Sequence, residues 1–189
     1  VRPVAEAHRK VAAQQGARFV LSENRRSGPS ILEVANRTSS TLRAVHAGVE
    51  AVKFQKRTPE ISTPPEQQKQ MRETPWGYIT YLDYRNRVEF DEEQYCEIDR
   101  YCKSKDIAWM VSVWDEASVD FMEKFDTPAY KIPSASLTDL SLIRKARATG
   151  KPIILSSGMS TMEQIQKGVA AAGEKDLVLM HCTSTYPCE

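Results

Sequence analysis

The spacing of the apolar segments limits the architecture of this chain more than any single motif. From Ile107 onward, candidate strands begin at Ile107, Ala129, Pro152 and Leu177, about two dozen residues apart, and a helical pattern fills each interval. Two earlier segments, Phe19 to Ser22 and Ala51 to Phe54, read as strands of the same kind. Strands that alternate with helices pair in parallel, because a crossover helix returns the chain to the same end of the sheet. The rhythm is too regular for most doubly wound sheets and predicts an α/β fold of the (β/α)8 TIM-barrel type. A complete barrel has eight strands and about 250 residues. The six candidate strands in 189 residues predict a single partial barrel domain over 1–189, truncated or completed by a partner.

Capping signals support the helices. Asp91 with Gln94 reads as a capping box, and Tyr95, Ile98 and Cys102 then recur on one face. Asp115 can cap a helix carrying Val119, Met122 and Phe125. Ser136 and Asp139 open a helix with Leu140, Ile143 and Ala146 that stops at Gly150. Ser160 with Glu163 reads as a further capping box, ahead of Ile165 and Val169. The stretch from Lys56 to Glu89 holds Pro59, Pro64, Pro65 and Pro75 and is expected to be mostly irregular. Its aromatic residues suit either a functional loop or a plug over the end of the sheet.

Composition excludes several functions. A formal charge of +1 gives no electrostatic basis for binding nucleic acid or an anionic membrane. No apolar run approaches the ~20 residues that span a bilayer. The N-terminal residues lack the layout of a signal peptide, and Cys96, Cys102, Cys182 and Cys188 form no CxxC pair. They are expected to be reduced thiols in a cytoplasmic protein.

The chemistry is expected at the C-terminal ends of the strands. Ala129-Tyr130-Lys131-Ile132-Pro133-Ser134 is a short apolar strand that carries a lysine. Burying an unpaired ammonium is expensive, so an anion is expected beside it. Lys53 occupies an equivalent place on its own strand, and Ser112, Ser134, Ser156 and Ser184 supply hydroxyls nearby. Two lysines and four hydroxyls suit a phosphate and a carboxylate, with snorkelling side chains or a Schiff-base lysine as alternatives. His181 also ends a strand and reads as a structural residue ahead of a base. Glu23 could orient a substrate hydroxyl or a metal-bound water, or pair with Arg25 and Arg26 at the surface. No spacing of metal ligands is visible, so no metal site is expected from this chain alone.

Several segments together resemble the sialic acid synthase family, the N-acetylneuraminate synthases with their legionaminate and pseudaminate relatives. They are Ala51-Val52-Lys53-Phe54-Gln55-Lys56, Thr74-Pro75-Trp76-Gly77, Tyr130-Lys131-Ile132-Pro133-Ser134, Ile154-Leu155-Ser156-Ser157-Gly158-Met159 and His181-Cys182-Thr183-Ser184-Thr185-Tyr186-Pro187. The resemblance implies a homodimeric TIM-barrel enzyme that condenses phosphoenolpyruvate with N-acetylmannosamine or a related N-acetylated sugar, releasing phosphate. A divalent cation, manganese or magnesium, polarises the sugar aldehyde in that family. By position, Lys53, Ser112, Lys131, Ser134, Ser156 and Ser184 would hold phosphoenolpyruvate. Gln55 and Tyr186 would contact the amino sugar, and Glu23 would keep a catalytic place. The chain departs from the pattern in three ways. Ser22-Glu23-Asn24-Arg25-Arg26-Ser27-Gly28 keeps only the glutamate of the family's opening strand, and Ser136 stands where a glutamate is common. The strands bearing the two metal-binding histidines and the C-terminal antifreeze-like domain are not in the sequence. The resemblance therefore implies a chain that binds phosphoenolpyruvate with little or no turnover.

Overall fold

The computed structural model describes residues 50–184 together with the backbone of Phe19 and Val20. Six strands form one parallel sheet: β1 (Phe19–Val20), β2 (Ala51–Lys56), β5 (Ala108–Val113), β6 (Tyr130–Ile132), β7 (Ile153–Ser156) and β8 (Leu177–Met180). They are adjacent in that order, so each new strand of this series is laid beside the previous one. Helices α4 (Glu92–Ser104), α5 (Glu116–Met122), α6 (Leu140–Ala148) and α7 (Met162–Ala172) are the crossovers.

The helices all pack on one face of the sheet. Val52, Trp109, Val111, Val113, Tyr130, Ile132, Ile153 and Leu155 point toward them from the strands. Tyr95, Cys102, Val119, Met122, Leu142, Ile143, Ala146 and Ala172 close the same core from the helices. Tyr95 is its aromatic centre, stacked on Trp109 at 5.8 Å and edge-on to Phe90 and Phe121. Its buried hydroxyl donates to the Gln55 carbonyl at 2.7 Å, which ties the core to the end of β2. Burial raises the Cys102 thiol to about 12, so Cys102 serves as packing.

Most helix starts follow the sequence reading. Asp91 and Gln94 form a reciprocal capping box, and Asp115 and Asp139 each accept from a backbone N–H three residues on. Ser136 lies in a 3-10 turn (Ser134–Ser136), leaving the cap of α6 to Asp139 alone. The box before α7 is one residue later than read: Thr161 caps and Gln164 reciprocates. Either register satisfies the [ST]-x-x-[EQ] pattern, and only the path of the preceding loop selects between them.

The Lys56 to Glu89 stretch is more ordered than its prolines imply. Pro59 and Pro65 open the short helices α1 (Pro59–Ser62) and α2 (Pro65–Gln68), where the missing N–H costs nothing. Strands β3 (Met71–Thr74) and β4 (Gly77–Thr80) then form an antiparallel hairpin around Pro75-Trp76. The Thr74 hydroxyl accepts from the Trp76 N–H and donates to the Gly77 carbonyl, and Gly77 takes φ +94°. Helix α3 (Tyr81–Val88) follows. Among the described residues no helix is long and apolar enough to cross a membrane.

Candidate functional site

Side chains alternate along a strand, so Ala51, Lys53 and Gln55 share the face of β2 that lacks helices. The register carries this face across the sheet. Gln55 pairs with Ser112, Ser112 with Lys131, Lys131 with Ile154, and Ser156 with Met180. Ala51, Met110 and Ile154 make its apolar part, with Val178 and Met180 packed against them. Lys53, Gln55, Ser112, Lys131 and Ser156 therefore stand together on one face, toward the C-terminal ends of four adjacent strands.

Two of these groups are unsatisfied. Ser112 and Ser156 are 2% and 0% exposed, and neither hydroxyl has a hydrogen-bond partner among the described residues. Burying a hydroxyl in that state costs about 1–3 kcal/mol, so two of them beside one lysine call for a ligand. Lys131 lies between their strands and makes no ion pair among the described residues. Burial lowers its ammonium, and the nearby Cys182 thiol partly offsets this. Lys53 is lowered to about 8, first by burial, then by the charges of Lys131 and Arg57. Two lysines, one close enough to lower the other's ammonium, make a place for an anion of more than one charge.

The remaining serines meet at Gly158. The Gly158 N–H donates to the Ser134 hydroxyl at 3.0 Å. A Cβ on Gly158 would lie 2.7 Å from the Ser184 hydroxyl, 2.9 Å from the Ser134 hydroxyl and 3.0 Å from the Cys182 carbonyl. The loop after β7 thus fits between the turn after β6 and the segment after β8 only because position 158 has no side chain. The next residue, Met159, is held at φ +62°, an unusual conformation for a long side chain.

Gln55 is fixed by groups that sequence reasoning missed. Arg57 Nη2 and Trp114 Nε1 both donate to its side-chain oxygen, at 3.1 and 3.2 Å. Arg57 also stacks on the Trp114 ring, 5.0 Å from its centre. Behind it, Glu89 places Oε1 2.5 Å from Arg57 Nε, off the N–H axis, so the contact is an ion pair rather than a hydrogen bond. Asp115 holds the same loop, accepting from the Thr58 N–H at 2.6 Å and the Thr58 hydroxyl at 3.0 Å while it caps α5. Arg57 could have been found two residues past Gln55 on the same strand end. Nothing local marks Glu89, which arrives from the far end of the Lys56 to Glu89 excursion.

Other candidates fall outside this group. Glu23 and Tyr186 lie outside the described residues. His181 is exposed and makes no hydrogen bond or ion pair among the described residues. A cleft of about 460 Å³ opens between Lys56, Phe90 and Phe121, but the Lys56 ammonium there is spent on the Phe90 carbonyl. Among the described residues no three His, Cys, Asp or Glu side chains gather. The described residues do not fit a divalent cation.

The fold is similar to that of the N-acetylneuraminic acid synthetase from Leptospira borgpetersenii serovar Hardjo-bovis. The TM-score is 0.70 at 20% identity, over 90% of this chain and 55% of that one. In sequence, the N-acetylneuraminate-9-phosphate synthase of Drosophila melanogaster is 30% identical over 77% of this chain and 40% of its own length. The Homo sapiens protein of that name is 27% identical over 90% of this chain and 48% of its own length. The NeuB family profile matches residues 42–189, and the chain belongs to that family. It spans about half the length of the curated relatives it matches.

Proposed function

We propose that this chain carries the phosphoenolpyruvate-binding part of a nonulosonic acid synthase. The reaction joins phosphoenolpyruvate to N-acetylmannosamine or a related N-acetylated sugar. The observation that carries the reading is Lys131 between the hydroxyls of Ser112 and Ser156, which lack partners among the described residues, with Lys53 near enough to add charge. That set matches an anion with both a phosphate and a carboxylate, and relatives of the chain are named N-acetylneuraminate-9-phosphate synthases.

In this reading the six parallel strands belong to an eight-stranded barrel. Support comes from the one-sided helices, since a doubly wound sheet carries helices on both faces and a barrel keeps them outside. The polar face is then the barrel interior, and its C-terminal end is the mouth. Lys53 and Lys131 neutralise the phosphoenolpyruvate oxygens, and Ser112, Ser134, Ser156 and Ser184 donate to them. The pocket holds the enol carbon C3 facing the sugar aldehyde, which C3 attacks to form the new C–C bond. Water then adds at C2, and phosphate leaves with its bridging oxygen. Gln55 meets the sugar at the rim. Manganese or magnesium would act as Lewis acid, from ligands other than the described residues.

The test combines calorimetric titration of phosphoenolpyruvate with an assay of phosphate release in the presence of N-acetylmannosamine and manganese. Binding with release supports the complete activity. Binding without release restricts the chain to a phosphoenolpyruvate-binding module, and no binding overturns the reading. The lowered Lys53 ammonium favours one second reading, a Schiff-base aldolase on the same fold. Borohydride with pyruvate would then leave an adduct on Lys53, and its absence ends that reading.

A further inference from the structure

We infer that Arg57 and Trp114 are positioning residues that lock the Gln55 side chain so that it meets the ligand only as a hydrogen-bond donor. Arg and Trp side chains carry N–H groups and no acceptor, so the Gln55 atom that both of them touch is the oxygen. A carbonyl oxygen has two lone pairs, and here both are taken. The amide NH2 has no partner among the described residues, and Gln55 is half-buried on the face that carries Lys53 and Ser112. Its two donors are what the side chain has left to offer. The ligand atom that answers them is an acceptor oxygen, either a hydroxyl or the carbonyl of an acylamido group. A free ammonium at that place would find only donors facing it.

The lock is built in layers. Glu89 neutralises Arg57 and sets its guanidinium, Trp114 supports the flat face of that guanidinium, and the two then hold Gln55. Asp115 fixes the loop that follows Arg57 and adjoins Trp114 in sequence, so the same carboxylate anchors both arms. An amide held at one end keeps its rotamer before the ligand arrives, and the ordering cost is removed from binding. The preference for an N-acylated over a free amino sugar is, in this account, set partly by two residues that never touch it. The inference rests on the proposed function, since it takes the acceptor sugar to be the ligand above Gln55.

The experiment is a double-mutant cycle on the chain with the variants Trp114→Phe, Gln55→Ala and both together. The dissociation constant of N-acetylmannosamine is measured calorimetrically at saturating phosphoenolpyruvate, and that of phosphoenolpyruvate is measured alone. Gln55→Ala should weaken sugar binding about tenfold, the loss of a hydrogen bond made in a desolvated site. Trp114→Phe should weaken it several-fold, and the double variant should be no weaker than Gln55→Ala, because Trp114 acts only through Gln55. Phosphoenolpyruvate affinity should stay within about twofold in Trp114→Phe. Arg57→Lys, which keeps the charge for Glu89 and loses the reach to Gln55, replaces Trp114→Phe in the cycle if that variant fails to fold. An equal loss from Trp114→Phe with and without Gln55 overturns the inference, as does unchanged sugar binding in Gln55→Ala. If wild-type chain does not bind phosphoenolpyruvate, the proposed function itself fails. Retained phosphoenolpyruvate binding with either adverse sugar result sinks the lock alone.

Discussion

Lys53 shows how far surroundings set the charge of a single residue. Its ammonium is lowered to about 8 by burial and by Lys131 and Arg57. In an unfolded chain it would titrate near the ordinary lysine value of about 10.4. Below pH 8 the folded protein therefore holds a proton against its environment, and this destabilises the fold. Between pH 8 and the unfolded value the unfolded chain binds more protons, so this group's penalty is relieved as pH rises. A bound anion acts in the opposite sense, because it raises the Lys53 ammonium. Phosphoenolpyruvate binding at pH 8.5 should therefore take up protons, seen as a binding enthalpy that changes with the ionisation enthalpy of the buffer. Affinity should also fall as pH climbs above 8. A buffer-independent enthalpy would show that the anion does not reach Lys53. Lys131→Ala should weaken phosphoenolpyruvate binding about tenfold or more, the loss of a charge-assisted hydrogen bond. Gly158→Ala should do so without removing any polar group. Hydroxyls can turn away from the new methyl, but the Cys182 carbonyl at 3.0 Å is backbone and cannot. Overpacking of this kind costs about 1–3 kcal/mol, readable in urea unfolding.

At the scale of elements, the informative case is the Lys56 to Glu89 excursion. Its prolines suggest irregular chain, yet two of them start short helices and a third turns a hairpin. Proline marks where an element cannot continue, and it marks equally where one can begin. What fastens the excursion to the sheet is also absent from local sequence. Asp115 caps α5 and holds Thr58 at the start of the excursion, and Glu89 at its end pairs with Arg57. Asp115→Ala removes a helix cap, worth about 1 kcal/mol, and strands the half-buried Thr58 N–H for about 1–3 kcal/mol more. Chemical denaturation should register a loss of about 2–4 kcal/mol, and hydrogen exchange should quicken in α1 and α2 ahead of β5. Equal acceleration throughout would mean that the excursion has no separate stability.

For the whole molecule, the polar face of the sheet costs stability that a bound ligand would return. Two hydroxyls without partners among the described residues and a lysine lowered by a neighbouring lysine lie on one face of a sheet whose other face is densely packed. A ligand that satisfies them binds only the folded state. At one hundred times its dissociation constant, phosphoenolpyruvate should add about 2.7 kcal/mol of stability. For a chain of this size that raises the melting midpoint by about 5–10 °C. Pyruvate, which lacks the phosphate, should give a much smaller rise at equal concentration. Equal shifts from both would remove the phosphate from the account of the site.

The sequence by itself determined the order of the elements, because alternating strands and amphipathic helices admit few arrangements. It also placed Lys53, Ser112, Lys131 and Ser156 at strand ends, whereas the register that sets them on one face belongs to the sheet. It named Ser134 and Ser184 among the anion-binding hydroxyls, but marked Gly158 only as part of a motif. Their approach within about one atom's width depends on where three loops cross, a contact between segments far apart in the chain. The lock on Gln55 is of the same kind. Arg57, Trp114 and Glu89 come from three segments, each ordinary alone, and only packing makes one amide the meeting point of all three. Periodicity is a property of the chain and survives without a tertiary fold. A pocket is a property of the distances between segments, and those are set only when the core closes.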